Sequence, residues 1–182
     1  MGTQVSQNTS RWARRLGVAC ACLAFGLLTA CSASVSVGSD TVDSADDVNV
    51  GECVSVADSS DGKVEATKTD CDTTDAFAFY VASTTATTSQ CPGQESRLTF
   101  EEGDQQLCLT PNMAQGKCYE VPSGGAGSLT DFKAVDCGAT TADGTAVVEV
   151  VTRSNGTVTC DASLTALEFT EPQPLGYCLR VS

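Results

Sequence analysis

Eight cysteines and a few clusters of carboxylates are the residues here whose types and spacing could do chemistry. The cysteines that follow residue 31 are Cys53, Cys71, Cys91, Cys108, Cys118, Cys137, Cys160 and Cys178. None belongs to a Cys-x-x-Cys pair, and their spacing is too long to favour a zinc site. Eleven cysteines in a chain of 182 residues indicate an oxidising compartment. We therefore predict that all eight later cysteines are joined in disulfides.

The sequence offers few side chains of the types that catalyse reactions, because it contains no histidine. This excludes Ser-His-Asp and Cys-His nucleophilic catalysis and zinc sites built on imidazole. Glu101, Glu102 and Asp104 could supply an acid and a base for glycan hydrolysis. Adjacent acids in such an acidic turn are usually only solvated, so we predict no catalytic residue and no enzyme. The lysines are too dispersed to form a catalytic dyad: Lys63, Lys68, Lys117 and Lys133.

Calcium is the metal that the aspartates around Cys71 could bind through their oxygens. Asp70, Asp72 and Asp75 surround this cysteine. They lack the twelve-residue loop with a central glycine and a terminal glutamate that calcium-binding loops use. We predict no metal site and no cofactor.

The cysteine spacing indicates an internal duplication. Successive cysteines are 18, 20, 17, 10, 19, 23 and 18 residues apart, and a break at the gap of 10 leaves two similar sets. Gly51-Glu52-Cys53 matches Gly116-Lys117-Cys118, and Phe100 and Phe169 each lie nine residues after a cysteine. The sequence therefore predicts two tandem copies of one module, residues 51–111 and 112–182.

Modules of this size need cross-links, because so short a chain buries too little surface to be stable alone. Two disulfides per module would supply them, each worth about 3 kcal/mol in the chain-entropy model. Four cysteines allow three pairings. Since neighbouring strands of a meander pair most cheaply, we predict sequential pairing. The predicted disulfides are Cys53–Cys71, Cys91–Cys108, Cys118–Cys137 and Cys160–Cys178.

The pattern between the cysteines is that of β-strands. We predict strands at 53–56, 64–69 and 76–83, and then at 147–152, 157–160, 167–171 and 177–181. Asn155-Gly156 lies between two β-rich runs and predicts a hairpin. Helical structure outside the leader is limited to a short turn after Cys91 or Cys160. The predicted fold is mainly β, with two small antiparallel β modules.

The aromatic side chains outside the leader are expected to fill the module cores. Phe100 and Phe169 hold equivalent repeat positions, and the alternation of Phe77 and Phe79 fits one buried face of a strand. Phe77, Phe79 and Tyr80 form the densest aromatic cluster. If the modules expose an apolar patch, we predict that this cluster is the interaction patch.

Residues 1–30 have the pattern of a cleaved export signal. Arg11, Arg14 and Arg15 precede an apolar stretch at 16–29, which is short for a membrane span. The stretch ends in Leu28-Thr29-Ala30-Cys31, which resembles the bacterial lipoprotein box. That resemblance implies that Cys31 carries acyl chains such as palmitate and becomes the N-terminus. An ordinary signal peptide is the alternative.

Residues 31–50 are predicted to be the lipidated N-terminus and a flexible, disordered tether. Small and acidic residues dominate, so the segment cannot repay the entropy lost on ordering. Asp40, Asp43, Asp46 and Asp47 could suggest a calcium site, but self-repelling charges are typical of a solvated linker.

The overall charge limits the partners. With 23 acidic and 10 basic side chains, the chain has a net charge of −13. Such a surface repels nucleic acid and anionic head groups. We predict no nucleic-acid partner, and a membrane association that depends on the lipid anchor.

The cysteine framework resembles a known family. Its motifs here are Gly51-Glu52-Cys53-Val54, Asp70-Cys71, Cys91-Pro92 and Leu107-Cys108-Leu109. They resemble the LppU-type lipoproteins of high-GC Gram-positive bacteria and, more distantly, septum-formation-type domains. The second module departs from the pattern at Asp161 and Tyr177. The resemblance implies a small secreted β-rich domain behind a lipid anchor or a membrane helix, with no catalytic residues to carry over.

We expect a lipid-anchored, non-enzymatic interaction module at the extracytoplasmic face of the cell membrane, with an envelope protein as partner. A wall-directed hydrolase using carboxylates and an architectural factor in envelope assembly are the alternatives. The junction at 110–117 is short, so the modules should form a fixed pair with any ligand groove at their seam.

Overall fold

The computed structural model describes residues 40–74, 76–123 and 127–181. The predicted signal peptide, Cys31 and the first part of the predicted tether lie outside these residues. The described residues belong to one compact unit. They form eleven strands in two antiparallel sheets, with two short 3₁₀ helices at Ala45–Asp47 and Leu129–Asp131.

The first half of the unit is a six-stranded sheet. Its strands are β1 (Thr41–Val42), β2 (Cys53–Asp58), β3 (Val64–Thr69), β4 (Ala78–Ala86), β5 (Ser96–Thr99) and β6 (Gln105–Pro111), in the order β1-β3-β2-β4-β6-β5. The second half is a five-stranded sheet. Its strands are β7 (Cys118–Pro122), β8 (Lys133–Val135), β9 (Thr145–Ser154), β10 (Thr165–Phe169) and β11 (Leu175–Val181), in the order β10-β11-β9-β7-β8.

The two sheets repeat one topology. Apart from β1, the first sheet runs β3-β2-β4-β6-β5 and the second runs β8-β7-β9-β11-β10, so each strand has a counterpart five strands later. The turn before the first shared strand also repeats: Gly51 N–H donates to the Val81 carbonyl at 2.9 Å, and Gly116 N–H donates to the Val150 carbonyl at 2.7 Å. This agreement supports the predicted duplication.

Even an irregularity is shared by the two sheets. On β4 the register with β6 shifts between Val81 and Ser83, which leaves an extra residue opposite the Cys108–Leu109 step. On β9 the register with β11 shifts in the same way, opposite Cys178–Leu179. Such bulges bend a strand and increase its twist. Both copies are therefore bent at the same place, next to the second disulfide of each half.

All four predicted disulfides are confirmed. Cys53–Cys71 and Cys118–Cys137 have Cα–Cα distances of 5.1 and 5.0 Å. Cys91–Cys108 and Cys160–Cys178 both have Cα–Cα distances of 5.5 Å. No disulfide crosses between the halves among these eight cysteines, so the cross-links staple each sheet separately.

The prediction that each module buries its own core is wrong. One hydrophobic cluster contains residues from both sheets, including Phe79 and Leu109 of the first and Val150 and Tyr177 of the second. A chain of about 65 residues buries too little surface alone, and sharing a core corrects that deficit. The predicted boundary at 111/112 separates two sheets but not two cores.

The predicted tether is also wrong for its last part. Val42, Ala45 and Val48 are 3–6% exposed and belong to the shared core. The intervening turn is capped, since the Asp47 carboxylate accepts the backbone N–H groups of Ser44 at 2.8 Å and Asp43 at 3.0 Å. The bond from Ser44 N–H lowers the pKa of Asp47. Three buried apolar side chains and a cap repay the ordering entropy that the composition appeared unable to cover.

The hairpin predicted at Asn155-Gly156 does not form. Strand β9 ends at Ser154, and residues 157–160 are not a strand. Residues 152–154 of β9 pair with β11 on one side, and on the other side the Arg153 N–H donates to the Gln115 side-chain oxygen at 3.3 Å rather than to a returning strand. The other six predicted strands are confirmed, with ends that differ by at most three residues.

Candidate functional site

The predicted interaction patch is buried, and it joins the two halves. Phe79 is fully buried, Phe77 is 8% exposed and Tyr80 is partly buried. The ring of Phe77 lies 5.4 Å from that of Tyr119 and 5.3 Å from that of Phe132, and the Phe79 ring lies 5.2 Å from Phe132. The prediction of an exposed patch is therefore wrong, because the second half covers these rings.

Polar groups reinforce this joint. The Arg153 guanidinium, on β9, donates from Nη2 to the Asn112 amide oxygen at 3.0 Å and to the Tyr80 hydroxyl at 3.3 Å. The side-chain amide of Asn112 in turn donates to the Cys71 carbonyl. Thr110 is fully buried on β6, and its hydroxyl donates to the Glu171 carbonyl at 2.9 Å. The bonds to Tyr80, to Cys71 and to Glu171 run between the halves and fix their relative position.

A cavity of about 1280 Å³ lies along the seam of the two sheets. Both halves line it. The first half contributes residues 41–43, 61, 63–66, 94–102 and 111, and the second contributes residues 113, 121–122, 127–129, 132, 167, 169 and 179. The predicted seam thus carries a cavity.

The floor of the seam cavity is apolar. Leu98 on β5, Leu129 in the second 3₁₀ helix and Phe169 on β10 are 4–8% exposed, and Met113 is 1% exposed. They come from segments far apart in sequence, so only the packing of the two sheets brings them together. This floor could hold apolar side chains or an apolar ligand.

The rim of the seam cavity is acidic. Its carboxylates are Asp43, Asp61, Glu65, Glu95, Glu101 and Glu102, against the basic side chains of Lys63 and Arg97. Lys63 Nζ lies 2.7 Å from Glu101 Oε1, and both side chains are more than half exposed. The hydrogen bond and charge of Glu101 raise the pKa of Lys63. With Lys63 already paired, the rim presents an excess of negative charge.

The acids considered for catalysis are placed by the structure in one exposed turn. Glu101, Glu102 and Asp104 are all exposed, and only the first two line the cavity. Glu101 is engaged by Lys63. An acid–base pair needs two carboxyl groups in unlike environments. In this turn all three carboxyl groups are exposed to solvent, and they differ only in the ion pair that Glu101 makes with Lys63.

The aspartates considered for calcium binding around Cys71 do not line the cavity where the structure describes them. Asp70 and Asp72 are exposed, and Asp75 and Cys31 lie outside the described residues. Across residues 40–74, 76–123 and 127–181, no group of three or more acidic, histidine or cysteine side chains could hold a metal ion. In the same ranges no helix is long and apolar enough to cross a membrane.

No family model matches this sequence, and neither a curated protein nor a solved structure matches it. The functional interpretation therefore depends on the cavity and on the sequence of the leader.

Proposed function

We propose that this chain is a lipid-anchored, non-enzymatic binding protein at the extracytoplasmic face of the cell membrane, and that it takes its ligand in the seam cavity. The observation that carries the proposal is the cavity of about 1280 Å³ lined by both halves. Ligand sites favour such clefts between packed units, with an apolar lining and a few polar groups.

The position of the protein in the cell is inferred from its leader motif and its cross-links. The leader ends in Leu28-Thr29-Ala30-Cys31, which favours lipidation of Cys31. Four disulfides fit an oxidising compartment outside the cytoplasm. The resemblance to LppU-type lipoproteins supports the same placement. Lipid chains would then hold the binding unit at the membrane surface.

Binding without catalysis is favoured by the chemistry of the cavity. Apart from the half-buried Glu95, its titratable groups lie on an exposed rim, while its floor carries apolar side chains. Catalytic acids and bases usually need burial or close neighbours to shift their pKa values. A replacement of Glu101, Glu102 and Asp104 together that abolished turnover of a wall polymer, with the fold intact, would favour the hydrolase instead.

Site-specific photocrosslinking in intact cells tests the proposal. A photoreactive amino acid replaces Thr99, an exposed residue of β5 that lines the cavity. The matched control replaces Thr165, an exposed residue at the start of β10 that does not line it. We expect a discrete adduct from position 99 only, and its loss when Ser96→Trp fills the cavity. Identical adduct patterns from both positions would contradict the proposal.

A further inference from the structure

The free edge of β5 opens onto the seam cavity. Among the described residues, strand β5 pairs with β6 on one side and ends the sheet on the other. Every residue from 94 to 102 lines the cavity. Because successive side chains of a strand point to opposite faces, a cavity that touches all of them lies along the strand's edge rather than over one face.

The opposite wall is the other edge of the same sheet. Residues 63–66, at the start of β3, also line the cavity without a gap. Strand β1 covers β3 only at Ala66 and Thr67, so the edge at Val64 and Glu65 extends beyond it. The Lys63–Glu101 ion pair spans the two edges at one end. An uncovered strand edge is a template for an added strand.

The negative charge of the cavity rim favours a positively charged ligand. Six rim carboxylates face two basic side chains, one of which is already paired. A ligand with ammonium or guanidinium groups would supply donors to this rim, whereas an anionic ligand would be repelled.

The shape of the cavity favours a chain segment over a small molecule. Its volume of about 1280 Å³ exceeds the usual 300–1,000 Å³ of small-molecule pockets. On β5 itself the buried Leu98 lies between the exposed Arg97 and Thr99, so successive side chains alternate between an apolar and a solvated environment. An added strand, whose side chains alternate in direction, would place apolar residues on the floor and basic residues at the rim.

We infer that the seam cavity binds an extended basic segment of a polypeptide, with alternating basic and apolar residues, that pairs with the edge of β5. This inference rests on the proposed function, because it names the ligand class of the same cavity. The backbone bonds to β5 would give affinity, and the acidic rim would give selectivity for charge.

Peptide binding to the purified full-length protein tests the inference by fluorescence anisotropy. The probe is a labelled peptide of about ten residues that alternates lysine and valine. One control peptide replaces lysine with glutamate. A second keeps every charge but carries N-methyl groups on alternate backbone amides, which removes the donors for strand pairing. We expect both controls to bind about tenfold more weakly or worse.

Protein variants locate the binding. We expect Thr99→Trp and Glu102→Gln to weaken binding of the lysine–valine peptide. The matched controls Thr165→Trp and Asp143→Asn, which do not line the cavity, should leave binding unchanged. Thermal unfolding of each variant checks that the fold is intact.

The outcomes separate this inference from the proposed function. Equal binding of the N-methylated peptide would overturn strand pairing and leave only charge attraction. If no peptide binds, but the photoreactive side chain at position 99 still forms its adduct in cells, the inference fails and the proposed function stands. If the photoreactive side chain at position 99 also forms no adduct, both the inference and the proposed function fail.

Discussion

The buried hydroxyl of Tyr177 donates a hydrogen bond to the Pro111 carbonyl at 2.9 Å and accepts one from the Met113 N–H at 3.2 Å. Tyr177 lies on β11 of the second half, and Pro111 ends β6 of the first. In the repeat register Tyr177 corresponds to Leu107, because each pairs with the equivalent leucine of its edge strand, Leu167 or Leu98. The second copy of the module thus carries a hydroxyl group, absent from the first copy, that makes a hydrogen bond to the first copy.

Replacing this tyrosine should loosen the joint. Tyr177→Phe leaves the Pro111 carbonyl and the Met113 N–H without their partner in a buried site, which should cost about 1–3 kcal/mol of unfolding free energy. Urea unfolding measures the loss. Tyr119→Phe is the matched control, since the Tyr119 hydroxyl accepts a single bond from Ala114 N–H at 2.9 Å and should cost less. Equal losses would argue against a special role for Tyr177.

The ionisation of Tyr177 should make the free energy of unfolding depend on pH in the alkaline range. Burial raises the pKa of Tyr177 to about 12, while the bond from Met113 N–H and the charge of Arg153 oppose the rise. The unfolded tyrosine, with a pKa of about 10, therefore loses its proton first. This contribution to stability is complete below pH 10, and it is lost at about 1.4 kcal/mol per pH unit between pH 10 and 12.

Urea unfolding of the wild type and of Tyr177→Phe at pH 9, 10 and 11 measures this effect. The difference between the two proteins should shrink as the pH rises above 10. A constant difference would show that Tyr177 ionises as readily in the folded state as in the unfolded one.

The equivalent phenylalanines should respond unequally to truncation. Phe169 is 4% exposed, so Phe169→Ala should cost about 3–5 kcal/mol of unfolding free energy. Phe100 holds the matching position after β5 but is only partly buried at the cavity, so Phe100→Ala should cost less. Denaturant unfolding of both variants checks the order. A larger loss from Phe100→Ala would contradict the assignment of Phe100 to the cavity wall.

Lipidation is predicted at Cys31. Metabolic labelling with an acyl probe should mark the wild type but not Cys31→Ala, and the variant should appear in the medium because it has no acyl chains to hold it. Cys22→Ala, which changes a cysteine earlier in the leader, is the matched control and should keep its label. Label retained by Cys31→Ala would exclude the predicted anchor.

The cysteines made much of the fold predictable from sequence. Repeated spacing identified the duplication, and neighbouring strands then favoured the sequential pairing that is observed, such as Cys53–Cys71 and Cys118–Cys137. Such features can be predicted from the sequence because disulfide pairing between neighbouring strands and strand periodicity depend on nearby residues. The sequence patterns therefore predicted the cross-links and six of the strands, but not the strand order, which places β2 between β3 and β4 and β6 between β4 and β5.

The burial of residues 42–48 could not be predicted, because it depends on distant partners. The alternation of Phe77 and Phe79 predicted a buried strand face, but not that their covering residues, Tyr119 and Phe132, belong to the other half. A local signal for the 3₁₀ helices did exist: Ser44 and Ser128 are each followed three residues later by an aspartate that closes a capping box. The cavity has no such signal, since its lining comes from many separate segments.

Amide hydrogen exchange of the full-length protein with and without the lysine–valine peptide tests the central claim most directly. If the seam cavity takes an added strand, the peptide should slow exchange in Ser96–Thr99 of β5 and at Val64 and Glu65 of β3, and it should leave Thr165–Phe169 of β10 unchanged. Slowed exchange at β10 with none at β5 would contradict the account, because it would place binding on the repeat's equivalent edge and away from the seam.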